Sequence, residues 1–113
     1  MRLVLAERAQ ATAPAPRPLT HVVLFKLKEP APESIDKAVK LLRGLEGKIP
    51  ELRGIEVGVD TLHTQRSYDM ALITRFDDLA GMQAYQAHPE HVAVLEYLRS
   101  VLAASVAVDF VQD

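Results

Sequence analysis

The stretch "THVVLFKL", residues 20–27, constrains this chain most. It is rich in β-branched and aromatic residues and reads as a strand. Side chains alternate across a strand, so His21, Val23, Phe25 and Leu27 share one face and Val22, Leu24 and Lys26 the other. Both faces are mostly apolar, and a strand of that kind needs cover on both sides. The run "SVAVDFV", residues 105–111, has the same two-faced character.

What lies between these strands decides how the cover is supplied. Pro30 and Pro32 make a turn. A helix then follows over Glu33–Ile49, with Ile35, Ala38, Val39, Leu42, Leu45 and Ile49 recurring every three or four residues. Gly44 and Gly47 weaken its end and Pro50 stops it. Strands are expected over Leu52–Asp60 and Tyr68–Phe76. In the first, Ile55, Val57 and Val59 share a face; Gly58, on the other, marks a place of close approach. A short helix over Asp78–Gln86, capped by Asp77 or Asp78, precedes a second one running from Pro89 to between Val101 and Ala103. Ser105–Val111 is the last strand. The order β-α-β-β-α-β, with its second helical region split, is that of an α+β, ferredoxin-like fold: a four-stranded antiparallel sheet with helices on one face. Helices on one face leave the other uncovered. A second copy of the sheet is the natural cover, which predicts a two-fold homodimer packed sheet to sheet.

Composition narrows the function classes. The chain has 113 residues, 49% of them apolar, which suits one packed domain. Residues 1–19, with Pro14, Pro16 and Pro18 among alanines, read as a flexible extension, and 20–113 as the domain. A net charge of -2 and the lack of a Lys/Arg cluster argue against a nucleic-acid partner. No apolar run is long enough to span a membrane, and "MRLVLAERAQA" is a poor signal peptide, so a cytoplasmic location is expected. There is no cysteine, hence no disulfide and no thiolate chemistry. No phosphate loop or dinucleotide fingerprint appears.

The chemistry, if any, gathers at "YQAHPEHVAVLEY", residues 85–97. Pro89 suits the first position of a helix, which makes His88 the cap and His91 the third helical residue. A zinc site from His88 and His91 lacks a third ligand, and a capping His88 leans away, so no metal is expected. His91 lies on the apolar stripe with Val94, Leu95 and Leu98. Burial and a helix N-terminus both disfavour imidazolium, which leaves a neutral base. Three readings stand open for it: catalysis, ligand contact, or a structural histidine bonded to backbone. Tyr85 is either a hydrogen-bond donor to a substrate carbonyl or a core plug. His21 approaches His91 if its strand face meets the helices. His63 reads as a solvated loop residue. Asp69 and Arg75 fall on the face assigned to the dimer, where they need partners, and Asp109 is expected to answer Arg75.

Taken together, "HVVLFKLK" (21–28), "GKIPELRGIEVG" (47–58), "SYDMALITRFDDLAGMQAYQAHPEHVAV" (67–94) and "VAVDF" (106–110) resemble the stress-responsive alpha/beta-barrel domain family, the dimeric alpha-beta barrel proteins. The resemblance implies two ferredoxin-like subunits joined sheet to sheet into a barrel. A plant member of the family closes a linear polyketide by aldol condensation without a cofactor, in a pocket between sheet and helices. By local motif its tyrosine and histidine fall on Tyr85 and His91, and a first-strand histidine on His21. Its second pocket tyrosine has no counterpart in "KAVKLLRGL" (37–45). The implied function is a homodimeric family member with a pocket for a small hydrophobic or aromatic ligand and no cofactor. Its alternatives are a cofactor-independent cyclase or proton-transfer enzyme, and a structural stability protein without a ligand.

Overall fold

The computed structural model describes residues 17–112. Most of the expected extension, residues 1–16, lies outside them. Seven elements follow in the order β1 (Leu19–Leu27), α1 (Pro32–Arg43), β2 (Gly54–Val59), β3 (Met70–Phe76), α2 (Leu79–Ala87), α3 (Pro89–Val101) and β4 (Leu102–Val111). The strands form one antiparallel sheet in the order β2-β3-β1-β4. This is the expected α+β, ferredoxin-like arrangement.

The period-two pattern of β1 assigns its faces as the sequence implies. Val23, Phe25 and Leu27 are buried against Ala38, Val39 and Leu42 of α1 and Val94 and Leu98 of α3. Met70, Leu72, Thr74 and Phe76 do the same in β3. The opposite face carries Leu24, Val106, Val108 and Phe110, all exposed in the single chain. Val22 and Ile73 are half-buried beside them. Gly58 also points to that side and meets nothing within 4 Å among the described residues, so the close approach expected there is not made within the subunit.

Several boundaries differ from expectation, each for a local reason. β1 starts at Leu19, which pairs with Phe76 and is buried. α1 ends at Arg43, well short of Ile49. From Leu45 to Lys48 the backbone bonds run from residue i to i-3, and Gly47 sits at φ 81, a left-handed value that ends the coil. Leu45 and Ile49 stay buried even so, which carries the helical spacing of apolar residues past the helix itself. β2 is shorter than expected at both ends, and β3 at its start. β4 begins at Leu102, directly after α3, without a loop.

The charged residues assigned to the dimer face are satisfied within the subunit. Asp69 Oδ2 accepts the Leu27 amide at 2.8 Å, tying the start of β3 to the end of β1. Arg75 pairs with Glu56 across β2 and β3 at 2.8 Å. Asp109 does not answer Arg75. In the β1–β4 register it stands opposite His21, whereas Arg75 stands opposite Thr20. One residue of register puts Asp109 and Arg75 on opposite faces of the sheet.

Candidate functional site

A cavity of about 520 Å³ lies between the β1–β4 half of the sheet and helices α2 and α3. Its volume falls in the range usual for small-molecule sites. His21, Tyr85 and His91 all line it. The three residues singled out from sequence therefore meet at one place.

Two caps set the helical side. Asp78 accepts the Gly81 amide at 2.8 Å and starts α2. His88 Nδ1 accepts the Glu90 amide at 3.1 Å and starts α3 with Pro89 inside it. His88 is thus a capping residue with its side chain committed to backbone. The break between the helices turns Tyr85 and His91 toward each other, with ring centroids 4.5 Å apart and planes tilted by 47°. Phe76 packs against Tyr85 as well, with ring centroids 5.0 Å apart.

The protonation states follow from these surroundings. His91 Nδ1 donates to the Gln86 carbonyl at 3.0 Å, which leaves Nε2 as the lone-pair nitrogen. Burial lowers the His91 pKa below 6.5; the bond to Gln86 opposes this, and the nearby His21 adds to it. His91 is a neutral imidazole at pH 7. Tyr85 is 1% exposed and its pKa is pushed up to about 12 by burial, so it stays a phenol. Its hydroxyl is buried and has no hydrogen-bond partner among the described residues. Buried hydroxyls are nearly always paired, and an orphan costs about 1–3 kcal/mol.

The sheet side supplies a second imidazole. His21 Nδ1 bonds the Asp109 carboxylate across β1 and β4. Thr74, fully buried, donates to the His21 carbonyl at 3.5 Å. A carboxylate on Nδ1 fixes the ring's orientation and tautomer. Asp109 is the site residue missed from sequence. It is 88 positions from His21, and only the strand register brings the two together. Among the described residues no cluster of three or more His, Cys, Asp or Glu has the arrangement of a metal site.

The family model for the stress responsive A/B barrel domain matches residues 19–112. The chain belongs to this family. A relative in Arabidopsis thaliana, a stress-response A/B barrel domain-containing protein, is 31% identical over 111 residues, covering 95% of this chain. The chain spans only 42% of that protein's length. A dimeric ferredoxin-like protein of unknown function from Thermobifida fusca superposes with a TM-score of 0.77 at 32% identity, covering 85% of this chain and 92% of that one. A hydroxynitrile lyase from Passiflora edulis has the same fold, with a TM-score of 0.76 at 16% identity over 87% of this chain and 95% of its own. The A/B barrel family thus agrees with the fold and with the resemblance carried by "YQAHPEH". The position of that motif on the cavity wall is a property of this chain.

Proposed function

We propose that this A/B barrel domain is a cofactor-independent catalyst of proton transfer next to a carbonyl group, of the kind needed for aldol or cyclisation chemistry. The observation that carries this reading is the buried Tyr85 hydroxyl, without a partner among the described residues, on a ring that packs against a neutral His91 at the cavity wall. A ligand carbonyl oxygen completes it. Tyr85 donates to that oxygen and stabilises the charge that develops there. His91 Nε2 takes the adjacent C–H proton, leaving an enolate held by Tyr85. The enolate carbon then attacks an electrophilic carbonyl, and the imidazolium returns the proton to the new alkoxide. His21, aligned by Asp109, is a second proton carrier on the opposite wall. Packed cores rarely leave a buried hydroxyl unpaired, so the same observation favours a ligand over a stability protein without one. The hydroxynitrile lyase on this fold is an analogy of architecture and lends no residue roles. The apolar open face of the sheet supports a homodimer packed sheet to sheet, and the T. fusca relative is dimeric.

Exchange of α-protons for deuterium in 4-phenyl-2-butanone, followed by NMR in heavy water, tests the chemistry. Wild type accelerates exchange, and His91→Ala loses at least a hundredfold of that acceleration. Tyr85→Phe loses a comparable part. Equal rates for wild type, His91→Ala and buffer would refute the proposal.

A further inference from the structure

The cavity has two unlike ends. At one stand His21 with Asp109, Tyr85 and His91. At the other stand Arg99, from the last turn of α3, and Ser105 of β4. Two rulers give the spacing of the backbone positions that carry them. His91 and Arg99 are eight residues apart on one helix, about 12 Å. His21 and Phe25 are four apart on β1, and they pair with Asp109 and Ser105, which gives about 13 Å. Between the ends the wall is apolar, built by Val23, Phe25, Leu95, Leu98, Leu102 and Ala107.

Among the described residues Arg99 is the only Lys or Arg on this wall. Among the described residues it enters no ion pair and no side-chain hydrogen bond, while Arg53 and Arg75 both have carboxylate partners. Its planar fork is made for a carboxylate. One guanidinium, with no lysine among the described residues of the wall, suits a monoanion better than a phosphate dianion. The Asp109 carboxylate at the opposite end repels an anion there, so the field along the cavity fixes the direction of entry.

The geometry points to a keto acid as the ligand class: a carbonyl for Tyr85 and His91, an apolar spacer, and a carboxylate for Arg99 about 12 Å away. With carbon–carbon bonds of about 1.5 Å, that span corresponds to a chain of roughly ten carbons. Arg99 is then the specificity determinant of the site. This inference rests on the carbonyl-binding role proposed above, which it extends to the substrate's far end.

Isothermal titration of the full chain with 9-oxodecanoate and with its uncharged methyl ester tests it. In wild type the acid binds at least tenfold tighter than the ester, and added salt narrows the gap. Arg99→Gln brings the acid to the level of the ester without changing the ester. Arg99→Lys restores part of the preference. The short acid 4-oxopentanoate, unable to span both ends, gains little from Arg99. Tyr85→Phe weakens acid and ester by the same factor, since it acts at the other end. Arg99 is exposed, so its variants retain the wild-type melting temperature. Equal affinity for acid and ester in wild type, a preference that survives Arg99→Gln, or no binding of the acid at millimolar concentration overturns the inference. If His91-dependent proton exchange persists in that case, only the far-end assignment falls. If exchange is absent too, the carbonyl-binding role falls with it.

Discussion

At the scale of residues, the site trades stability for a waiting donor. The Tyr85 hydroxyl is buried without a partner among the described residues, so removing it should relieve a cost. Tyr85→Phe is expected to stabilise the fold by about 1 kcal/mol, raising the melting temperature by roughly 4–8 °C, while it loses activity. A melting temperature that falls would mean that the hydroxyl is paired in solution. His91 makes a second prediction, through pH. The folded protein binds the His91 proton more weakly than the unfolded chain, whose value is near 6.5. Below that pH the unfolded chain takes up the proton first, so this contribution to stability is full above about pH 7.5 and declines as pH drops through 6.5 toward the folded value. His91→Gln should flatten that part of a melting curve recorded between about pH 5 and 8. The acid limb of kcat/KM should likewise lie below pH 6.5. The pair Tyr85–His91 was legible in sequence because it is local, six positions spanning a break that Pro89 announces. The pair His21–Asp109 was not, because alternation shows which residues share a face of one strand and says nothing of what stands opposite on another.

At the scale of elements, two short helices with separate caps hold Tyr85 and His91. α2 is only nine residues long and depends on its start. The Asp78 carboxylate takes the Gly81 amide, and Asp78→Ala is expected to cost about 1 kcal/mol. Because α2 carries Tyr85, the same change should loosen the ring and lower affinity for a carbonyl ligand, a double effect visible by denaturant titration and calorimetry together. A stability loss with affinity intact would show that Phe76 packing alone positions Tyr85. Element types and the His88 cap were readable from the sequence, and the cap of α2 to within one residue, since capping residues, prolines and apolar periods act over a few positions. The end of α1 was not, because Leu45 and Ile49 keep the helical spacing while the backbone through them is already turning. Burial made the pattern, and the left-handed Gly47 made the conformation. The start of β4 was hidden for the opposite reason: Leu102 ends one element and begins the next with no turn residue to mark the change.

At the scale of the whole molecule, the two-faced strands would tie the proposed assembly to the proposed activity. β4 is at the edge of the subunit's sheet and faces two tasks at once. Asp109 points to the helix side and aligns His21, while its neighbours Val108 and Phe110 point to the open side with Val106 and Leu24. Val108 is 63% exposed in the single chain, in the middle of an apolar patch of the sort that marks an interface. If that patch is the dimer face, wild type is expected to be a dimer by light scattering at micromolar concentration, and Val108→Glu, which puts two carboxylates into an apolar contact, should yield a monomer. The site feels the change as well. Freed of its partner, β4 is a terminal edge strand whose ladder to β1 alone keeps Asp109 on His21. Val108→Glu is therefore expected to lose activity even though the substitution faces away from the cavity. Wild type should lose specific activity on dilution below its dimerisation constant and recover it on reconcentration. Asp109→Asn separates the two effects, because it loosens the His21 alignment without touching the open face; it should lower activity equally at all protein concentrations. A Val108→Glu protein that remains dimeric would place the subunit contact elsewhere on the surface, and the concentration dependence would vanish with it.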